Sequence, residues 1–255
     1  MIFLRSCSEL VVTCIIPARF ESSRFLGKLL QPLNGIEVLG MTYLRAVDSG
    51  LFTQVIIASG DELISDYCER NNFKFSETYG EYSNGSERVI AAAQNLGIQD
   101  DLVNLQADQP LFEAGDLKKL LDQEAESSSV KTLVYPVKDI FIETGSNPVH
   151  ATLNANSEII TFSRCKIPAG HSNLKHFFHI GIYFYPIDAL KRISSEKVFH
   201  DCNWSKLESL EQLNLLCSGI KMIGVIANKL VPEINTQEDL KVAREYLKQE
   251  RVKHE

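Results

Sequence analysis

Apolar runs and helical periodicities alternate along the first half of the chain. The apolar runs are short, continuous and rich in β-branched side chains, as in buried strands, and the segments between them have the apolar spacing of helices. The predicted strands are residues 11–16, 54–58 and 101–105, and the predicted helices are residues 38–47, 61–71 and 86–96. Gly97 is suited to end the last of these helices. Buried strands separated by helices indicate a parallel sheet covered on both faces.

The pattern changes in the middle of the chain, where strand-like segments follow one another with few helical stretches between them. The predicted strands there are residues 132–137, 149–153, 158–162 and 179–185, followed by a helix at 206–216, a strand at 222–227 and a helix at 236–248. Thr236 and Asp239 form a capping-box pattern that fixes the start of the last helix. The middle strands indicate an antiparallel or mixed extension of the same sheet.

Together these patterns predict an α/β fold with a Rossmann-like, doubly wound mixed sheet. The fixed handedness of β–α–β crossovers places helices on both faces of such a sheet. No repeat or long linker divides the sequence. We therefore expect a single domain over residues 1–255, with the strand-rich extension at about residues 135–190.

The composition is typical of a globular protein and argues against some classes of binding partner. Hydrophobic residues make up 44% of the chain, and the formal net charge of −7 argues against a nucleic-acid-binding surface. No apolar run reaches the roughly 18 residues of a membrane span. The six cysteines are scattered without a CxxC pair, so we expect free thiols in a reducing cytoplasm. We expect a cytoplasmic protein that binds neither nucleic acid nor membranes.

A basic loop follows the first predicted strand. Arg19, Arg24 and Lys28 place three cations within ten residues, next to Gly27. The carboxyl end of a buried strand is where open α/β sheets bind ligands, and cations with backbone amides suit a polyphosphate. A solvated surface loop is the alternative, since basic residues are usually exposed. The loop has neither the spacing of a Walker A motif nor a GxGxxG fingerprint.

Six segments in order resemble the CMP-sugar synthetases, and most closely the 3-deoxy-manno-octulosonate (Kdo) cytidylyltransferases. The loop sequence IPARFESSRFLGK at 16–28 resembles the family signature IPARYxSxRLPGK. The other segments are NGSER at 84–88 (family SGTER), NLQADQP at 104–110 (NVQGDEP), HIGIY at 179–183 (HIGIY), LESLEQL at 207–213 (LExLEQLR) and EINTQEDL at 233–240 (VDTPEDL). The resemblance implies a fold of the nucleotide-diphospho-sugar transferase type.

The resemblance implies that the basic loop and the second segment bind the nucleotide. Arg19, Arg24 and Lys28 would hold the phosphates of CTP. Gly85 and Ser86 would lie near the cytosine. For these two residues a structural role remains open, because an Asn-Gly pair before an apolar run also fits a turn and a helix cap.

The resemblance also implies a set of residues that contact the sugar acid. Arg88 would face the acid group, with a surface salt bridge as the alternative, and Gln106 would donate a hydrogen bond to the sugar. His179 would lie near the sugar or the ribose, although a histidine at the start of a strand is often structural. Glu211 and Gln212, on the predicted helix at 206–216, would face sugar hydroxyls.

A magnesium site at Asp108 is a further implication. Asp108 follows the strand at 101–105, so it reaches the same sheet edge as the basic loop. Mg²⁺ binds one or two carboxylates together with phosphate oxygens, while a turn or helix cap is the alternative role for a lone aspartate. Asn235 stands where the family has a second metal aspartate. Its uncharged carbonyl oxygen predicts weaker magnesium binding.

Other departures from the family pattern cluster at this predicted site. Ala107 and Gln109 replace the glycine and the carboxylate of GDEP. Leu26 replaces the proline of RLPGK, and Asn214 replaces the arginine that ends LEQLR. Either the site is adapted to a different acid sugar or metal demand, or the chain is a diverged paralogue with little activity. The complete set of phosphate-binding cations favours adaptation.

The reaction implied is transfer of CMP from CTP to an acidic 2-keto sugar, foremost 3-deoxy-manno-octulosonate, for cell-surface polysaccharide biosynthesis. Asp108, Arg24 and Lys28 would be the catalytic residues. Two alternatives stay open: a cytidylyltransferase for another acid (amino-Kdo, a nonulosonic acid or a phosphonate), or a nucleotide-binding regulatory protein without turnover. The resemblance alone implies a homodimer joined through the strand-rich extension.

Overall fold

A mixed β-sheet forms the centre of the computed structural model, which describes residues 11–22, 24–137, 148–167, 176–196, 198 and 202–254. The strands are β1 (Val12–Pro17), β2 (Pro32–Leu33), β3 (Ile36–Glu37), β4 (Gln54–Ser59), β5 (Phe75–Glu77), β6 (Asp101–Asn104), β7 (Val130–Val137), β8 (His150–Leu153), β9 (Ile159–Ser163), β10 (His176–Tyr185) and β11 (Met222–Ile226). The helices are α1 (Val38–Asp48), α2 (Glu62–Arg70), α3 (Gly85–Asn95), α4 (Ala114–Asp122), α5 (Ile187–Glu196), α6 (Asn203–Glu208), α7 (Leu213–Cys217) and α8 (Gln237–His254), with a 3₁₀ helix at Lys28–Leu30.

The order of the main sheet is β11–β7–β10–β6–β1–β4–β5. Strands β5, β4, β1 and β6 are parallel neighbours, and β11 is parallel to β7. Strand β10 is antiparallel to β6 and β7 and also pairs with β8, which pairs with β9. The predicted mixed sheet is confirmed. Residues 138–147 and 168–175 of the predicted extension lie outside the described residues.

Strand β1 shows why its apolar run is continuous. Val12, Cys14 and Ile16 pack into a core shared with α1, α2, α4 and α8, whereas Ile15 packs into a second core with α3 and α5. All four side chains are fully buried. Alternate residues of a strand point to opposite faces, so a strand covered by helices on both sides needs an apolar residue at every position.

The predicted helix at 206–216 is wrong, because the chain forms two helices there. Ser209 adopts a left-handed backbone conformation (φ 54°) that ends α6. Leu207 is 85% exposed, whereas Leu210 and Leu213, which share a helical spacing with it, are buried. Leucines at helical spacing therefore do not prove a continuous helix, because a leucine in a turn can also be buried in the core. The break leaves Glu211 and Gln212 in the turn before α7.

The expectation that all the cysteines are free thiols is also wrong. Cys202 and Cys217 form a disulfide, so the start of α6 is linked to the end of α7. The turn between the two helices brings these residues together across a separation of 15 positions. Such a pairing depends on the backbone path and leaves no mark in the cysteine spacing.

The capping box predicted at the start of α8 is confirmed. Thr236 Oγ1 accepts a hydrogen bond from the backbone N–H of Asp239 at 3.2 Å, and Asp239 Oδ2 accepts one from the backbone N–H of Thr236 at 2.8 Å. Helix α8 extends to His254, beyond the predicted end at residue 248. Of the helices in the described part of the chain, none combines the length and apolar character needed to cross a membrane.

Candidate active site

Three polar segments meet at the carboxyl edge of the parallel strands. They are the loop after β1, the turn after β6 and the segment that leads into α8. In the loop, Gly27 has φ 66°, and a β-carbon there would lie 3.0 Å from the Phe20 ring. Glycine therefore permits the tight turn that places Lys28 at the start of the 3₁₀ helix.

Lys28 joins the three segments. Its Nζ lies 2.5 Å from Asp108 Oδ2, with the two side chains 13% and 24% exposed. The same Nζ lies 3.3 Å from Asn235 Oδ1, which also accepts a hydrogen bond from Arg24 at 3.2 Å. The backbone N–H of Ile234 donates to the Asp108 carbonyl at 2.9 Å, which fixes the two segments against each other. The basic loop and Asp108 thus share one site, as the sequence predicts.

Glu233 is a second carboxylate at this site. Its Oε1 accepts a hydrogen bond from Gln109 Nε2 at 2.7 Å, and its Oε2 lies 3.5 Å from Asn235 Nδ2. Burial, together with the negative charge of Asp108, raises the pKa of Glu233 to about 7. Two amides and a carboxylate therefore surround one side of the Lys28–Asp108 pair.

A hydrogen-bonded network surrounds the start of α3. Ser86 Oγ donates to Glu211 Oε1 at 2.7 Å and accepts from Asn104 Nδ2 at 3.1 Å. Tyr185 OH lies 3.1 Å from the same oxygen, and because the single hydroxyl hydrogen of Ser86 goes to Glu211, Tyr185 is the donor. Gln106 Nε2 donates to Asn104 Oδ1 at 3.0 Å and extends the network. Burial raises the pKa of the Glu211 carboxyl group.

The first turn of α3 combines this network with a helix cap. Asn84 caps the helix, because its side chain accepts a hydrogen bond from the backbone N–H of Glu87 at 2.9 Å. A β-carbon at Gly85 would lie 3.2 Å from Gln106 Oε1, so this glycine allows the two segments to approach closely. Structural roles at this turn are therefore established, while contact of Gly85 and Ser86 with cytosine stays a prediction.

Arg88 lies one helical turn further along α3. Its Nη1 donates to both the carbonyl and the hydroxyl oxygen of Thr78 at 2.9 Å, and its guanidinium stacks 4.8 Å from the centre of the Tyr82 ring. These contacts hold the guanidinium in place. The predicted contact between Arg88 and the sugar acid stays a prediction.

His179 lies on β10, next to an irregularity in its pairing with β7 between Ile180 and Tyr183. Its Nε2 lies 3.0 Å from Thr132 Oγ1. The hydroxyl hydrogen of Thr132 faces the carbonyl oxygens of Ile180 and Ile182, at 3.2 and 2.8 Å, so the ring donates through Nε2–H. Burial lowers the pKa of His179 to about 3, which keeps the ring neutral.

A cavity of about 1280 Å³ opens beside the Lys28–Asp108 pair. Eight of the twelve residues predicted from the sequence line it: Arg19, Arg24, Gly85, Gln106, His179, Glu211, Gln212 and Asn235. Ser86 and Lys28 contact two members of this lining, Glu211 and Asn235, and Asp108 contacts Lys28. Arg88 is not among the lining residues. The other predicted residues are gathered around one space, although they come from six distant parts of the chain.

Two further lining residues were not predicted from the sequence. Arg164 follows β9 and lines the cavity, where its backbone N–H donates to Glu208 Oε2 at 2.8 Å. A cation directly after a predicted strand is the same signal that identified the basic loop, and it could have identified Arg164. Glu233 has no such signal, because it lies in a segment without regular structure before α8.

The comparison with known sequences decides the family. The sequence model described as Cytidylyltransferase matches residues 13–223. The chain belongs to the cytidylyltransferase family. Among curated relatives of this cytidylyltransferase, the 3-deoxy-manno-octulosonate cytidylyltransferase of Coxiella burnetii (strain RSA 331 / Henzerling II) is 32% identical over 247 residues, covering 91% of this chain and 98% of the relative. The 8-amino-3,8-dideoxy-manno-octulosonate cytidylyltransferase of Shewanella halifaxensis is 31% identical over 238 residues, covering 91% and 96%.

Solved structures agree with this assignment. A CMP:2-keto-3-deoxy-manno-octonic acid synthetase in complex with CTP superposes on this cytidylyltransferase with a TM-score of 0.81 and 26% identity, covering 94% of this chain and 99% of that one. The 4-diphosphocytidyl-2C-methyl-D-erythritol synthase of Anaerococcus prevotii has a TM-score of 0.61 and 12% identity. The second likeness concerns the fold alone.

Proposed function

We propose that this cytidylyltransferase joins CMP from CTP to 3-deoxy-manno-octulosonate and releases pyrophosphate. The observation that carries the proposal is the meeting of Lys28, Asp108 and Asn235 beside a large cavity lined by further cations. The names and full-length coverage of the relatives support the substrate pair. A cytoplasmic location of the protein and a role in cell-surface polysaccharide synthesis are part of the same proposal.

The proposed reaction needs charge neutralisation more than covalent catalysis. The anomeric hydroxyl oxygen of the sugar attacks the α-phosphorus of CTP and loses its proton, a C–O–P bond forms, and the bond from the α-phosphorus to the bridging oxygen breaks. Pyrophosphate leaves with that oxygen. Positioning of the two substrates and stabilisation of the developing charge on the phosphates lower such a barrier.

The cations of the basic loop are suited to the phosphates. Arg19 and Arg24 are exposed and line the cavity, so a triphosphate would reach them without moving the backbone. Lys28 is neutralised by Asp108 in this structure. In the proposed complex, phosphate oxygens of CTP compete with Asp108 for the Lys28 ammonium. They replace part of the contact between Lys28 and Asp108.

The oxygen atoms around Lys28 fit a hard divalent cation. Asp108 Oδ2 and Asn235 Oδ1 both converge on the Lys28 ammonium, so one positive charge already occupies this position. No group of three or more His, Cys, Asp and Glu side chains in the described residues is arranged to hold a metal. Mg²⁺, which accepts few carboxylates together with phosphate oxygens, suits this sparse donor set. When bound by Asp108 and Asn235, it would supply charge neutralisation at the phosphates.

The sugar acid would occupy the opposite part of the cavity. Arg164 supplies a cation for its carboxylate, and the neutral ring of His179 and the side chain of Gln212 supply polar contacts for its hydroxyls. Gln106 and Glu211 are held by the network at Ser86 and Asn104, which fixes their positions before a substrate arrives. Fixed polar groups reduce the ordering cost of binding.

A pyrophosphate-release assay tests the proposed substrate pair. The purified chain is mixed with CTP, Mg²⁺ and one acid at a time: 3-deoxy-manno-octulosonate, its 8-amino-8-deoxy derivative, a nonulosonic acid or a phosphonate. Release is expected with the first acid. Preference for the 8-amino acid would favour the activity named for the Shewanella relative, and CTP binding without release from any acid would indicate a regulatory protein.

Replacing Asp108 tests the proposed role of its carboxylate. We expect Asp108→Ala to lower the rate of pyrophosphate release by roughly 100-fold or more, because the carboxylate that would hold the cation at the phosphates is lost. Circular dichroism is expected to be unchanged, since the side chain is 24% exposed and is not part of the apolar core. Normal activity of a folded Asp108→Ala protein would contradict the proposed role.

A further inference from the structure

Two amides occupy the positions where the family pattern has carboxylates. Gln109 stands at the glutamate of GDEP, and Asn235 stands at the first aspartate of VDTPEDL. The two positions are distant in sequence, yet both amides donate toward the same carboxylate. Gln109 Nε2 lies 2.7 Å from Glu233 Oε1, and Asn235 Nδ2 lies 3.5 Å from Glu233 Oε2. The two departures are therefore linked in space by one acidic side chain.

Glu233 is fixed next to Asp108 by its surroundings. The adjacent backbone N–H of Ile234 donates to the Asp108 carbonyl at 2.9 Å. Asn235 contacts Glu233 through its amide nitrogen and Lys28 through its amide oxygen, so one side chain bridges the second carboxylate and the ammonium paired with Asp108. Glu233 and the Lys28–Asp108 pair thus lie on either side of the Asn235 amide.

An unsatisfied oxygen also points to a ligand here. Gln109 is 3% exposed and lines the cavity, and its Oε1 is buried without a hydrogen-bond partner among the described residues. Leaving a buried acceptor without a partner is destabilising, so such an atom indicates that a bound ligand completes its interactions. An amide oxygen and a nearby carboxylate are donors that a divalent cation accepts.

We propose that Glu233 supplies the second carboxylate of the cation site, in place of the aspartate that Asn235 replaces. The cation would lie between Asp108 and Glu233, and the amides of Gln109 and Asn235 would orient the Glu233 carboxylate. This inference rests on the proposed function, because the cation is the one that the nucleotidyl transfer requires. Of the two carboxylates that the family pattern has at positions 109 and 235, Glu233 would restore one, two residues before position 235.

Manganese binding tests the proposal without any turnover. Mn²⁺ replaces Mg²⁺ at oxygen sites, and free Mn²⁺ is quantified by electron paramagnetic resonance while the full-length protein is titrated in the presence of CTP and without sugar. We expect Glu233→Gln to weaken Mn²⁺ binding by roughly 10-fold or more, because one anionic ligand is lost. The double variant Glu233→Gln/Asn235→Asp returns a carboxylate to the family position and is expected to restore most of the affinity.

A charge-matched control separates ligation from the general field of the cavity. Glu238 also lines the cavity, is exposed and pairs with Lys241 at 2.9 Å. Glu238→Gln removes the same charge as Glu233→Gln, and we expect it to leave the Mn²⁺ affinity unchanged. Equal weakening by both variants would assign the effect to long-range electrostatics and overturn the ligand role of Glu233.

Further outcomes would also overturn the proposal. These are unchanged Mn²⁺ affinity in Glu233→Gln, failure of the double variant to recover, and no Mn²⁺ binding by the wild-type protein beyond that of CTP alone. Should Glu233→Gln not fold, Asn235→Asp alone provides the test. The added carboxylate is expected to tighten binding, and unchanged affinity would place this segment, with Glu233, away from the cation.

Failure of the proposed function gives a different result. A protein that releases no pyrophosphate from any of the acids, yet shows Glu233-dependent Mn²⁺ binding, would contradict the substrate assignment and retain the cation site. If the enzyme is active and replacing Glu233 leaves its Mn²⁺ affinity unchanged, only the proposed cation site is contradicted.

Discussion

Ser86 shows how a single hydroxyl group organises one wall of the cavity. It is 1% exposed and is the common partner of Glu211, Asn104 and Tyr185. Each of these groups is polar and lies in the interior, where a missing hydrogen bond is costly. The family motif has a threonine at this position, so a hydroxyl group is retained although the residue differs.

We expect Ser86→Ala to lower the free energy of unfolding by roughly 2–3 kcal/mol, because it leaves three polar partners without their common hydroxyl group. Urea denaturation followed by circular dichroism measures the change. Ser83→Ala is a matched control on the exposed side of the same turn and is expected to change stability by less than about 0.5 kcal/mol. Equal effects of the two variants would show that the network contributes nothing to stability.

His179 makes the stability of the protein depend on pH. Its pKa is lowered from 6.5 to about 3 by burial, so at mildly acidic pH the unfolded chain binds a proton that the folded chain does not. Stability contributed by the neutral ring is therefore complete above pH 6.5 and is lost as the pH falls below it.

Replacing His179 with glutamine should remove this dependence. Between pH 7.5 and 5.5 we expect the wild-type protein to lose about 1.4 kcal/mol more stability than His179→Gln, as a one-unit difference in proton affinity implies. Urea denaturation of both proteins at the two pH values provides the measurement. An identical loss in the two proteins would mean that the pKa of His179 is not lowered in the folded state.

At the scale of the elements, the break between α6 and α7 positions part of the cavity wall. A continuous helix at 206–216 would carry Glu211 and Gln212 on a face set by helical periodicity. The left-handed residue Ser209 instead ends α6, and both side chains reach the cavity from a turn. For an L-residue other than glycine this conformation costs roughly 1–2 kcal/mol.

Glycine at position 209 should therefore stabilise the fold. We expect Ser209→Gly to raise the free energy of unfolding by about 0.5–1 kcal/mol, since glycine adopts a positive φ without steric cost. Ser195→Gly, the same change inside the exposed face of α5, is expected to lower stability by roughly 0.5 kcal/mol. Urea denaturation compares the two variants. A loss of stability in Ser209→Gly would contradict the strain assigned to Ser209.

The elements differ in how far sequence could predict them. Strands β1, β4 and β6 are buried on both faces, so their apolar runs are continuous and were identified closely. Helices α4 and α5 were missed, although each carries apolar side chains at helical spacing on its buried face. The helix break at Ser209 and the disulfide were mispredicted because both depend on the backbone path in three dimensions.

The part of the site that lies at the ends of strands could be predicted from the sequence. Arg19, Asp108 and Gln106 follow predicted strands, and parallel strands bring such positions to one edge. The family resemblance added Asn235, which no strand pattern identifies. Glu233 and its contacts with Gln109 and Asn235 could not be predicted, because they depend on how an irregular segment folds back over the sheet.

At the scale of the whole molecule, cations are placed locally against the sign of the net charge. The protein carries a formal charge of −7, but Arg19, Arg24 and Arg164 line one cavity, which they share with carboxylates such as Glu211 and Glu233. Both proposed substrates are anions. A local group of cations in an acidic protein binds such substrates without attracting nucleic acid over the rest of the surface.

The proposed homodimer is a prediction at this scale. We expect sedimentation equilibrium to give twice the chain mass of 28.7 kDa. Ile160 on β9 lies in the strand-rich region and is 58% exposed, so Ile160→Glu is expected to shift the protein toward monomer. Ile36→Glu, at an exposed position outside that region, is the control. A monomeric wild-type protein would contradict the proposed dimer.

The side-chain contacts of Lys28 join residues that are far apart in the sequence. Lys28 is separated from Asp108 by 80 residues and from Asn235 by 207. During translation the basic loop is made early, but it meets its last partner only after nearly all the other residues have left the ribosome. A nascent or prematurely terminated chain that stops short of position 235 therefore lacks the Lys28–Asn235 contact of the candidate site, whatever part of the sheet it has already formed.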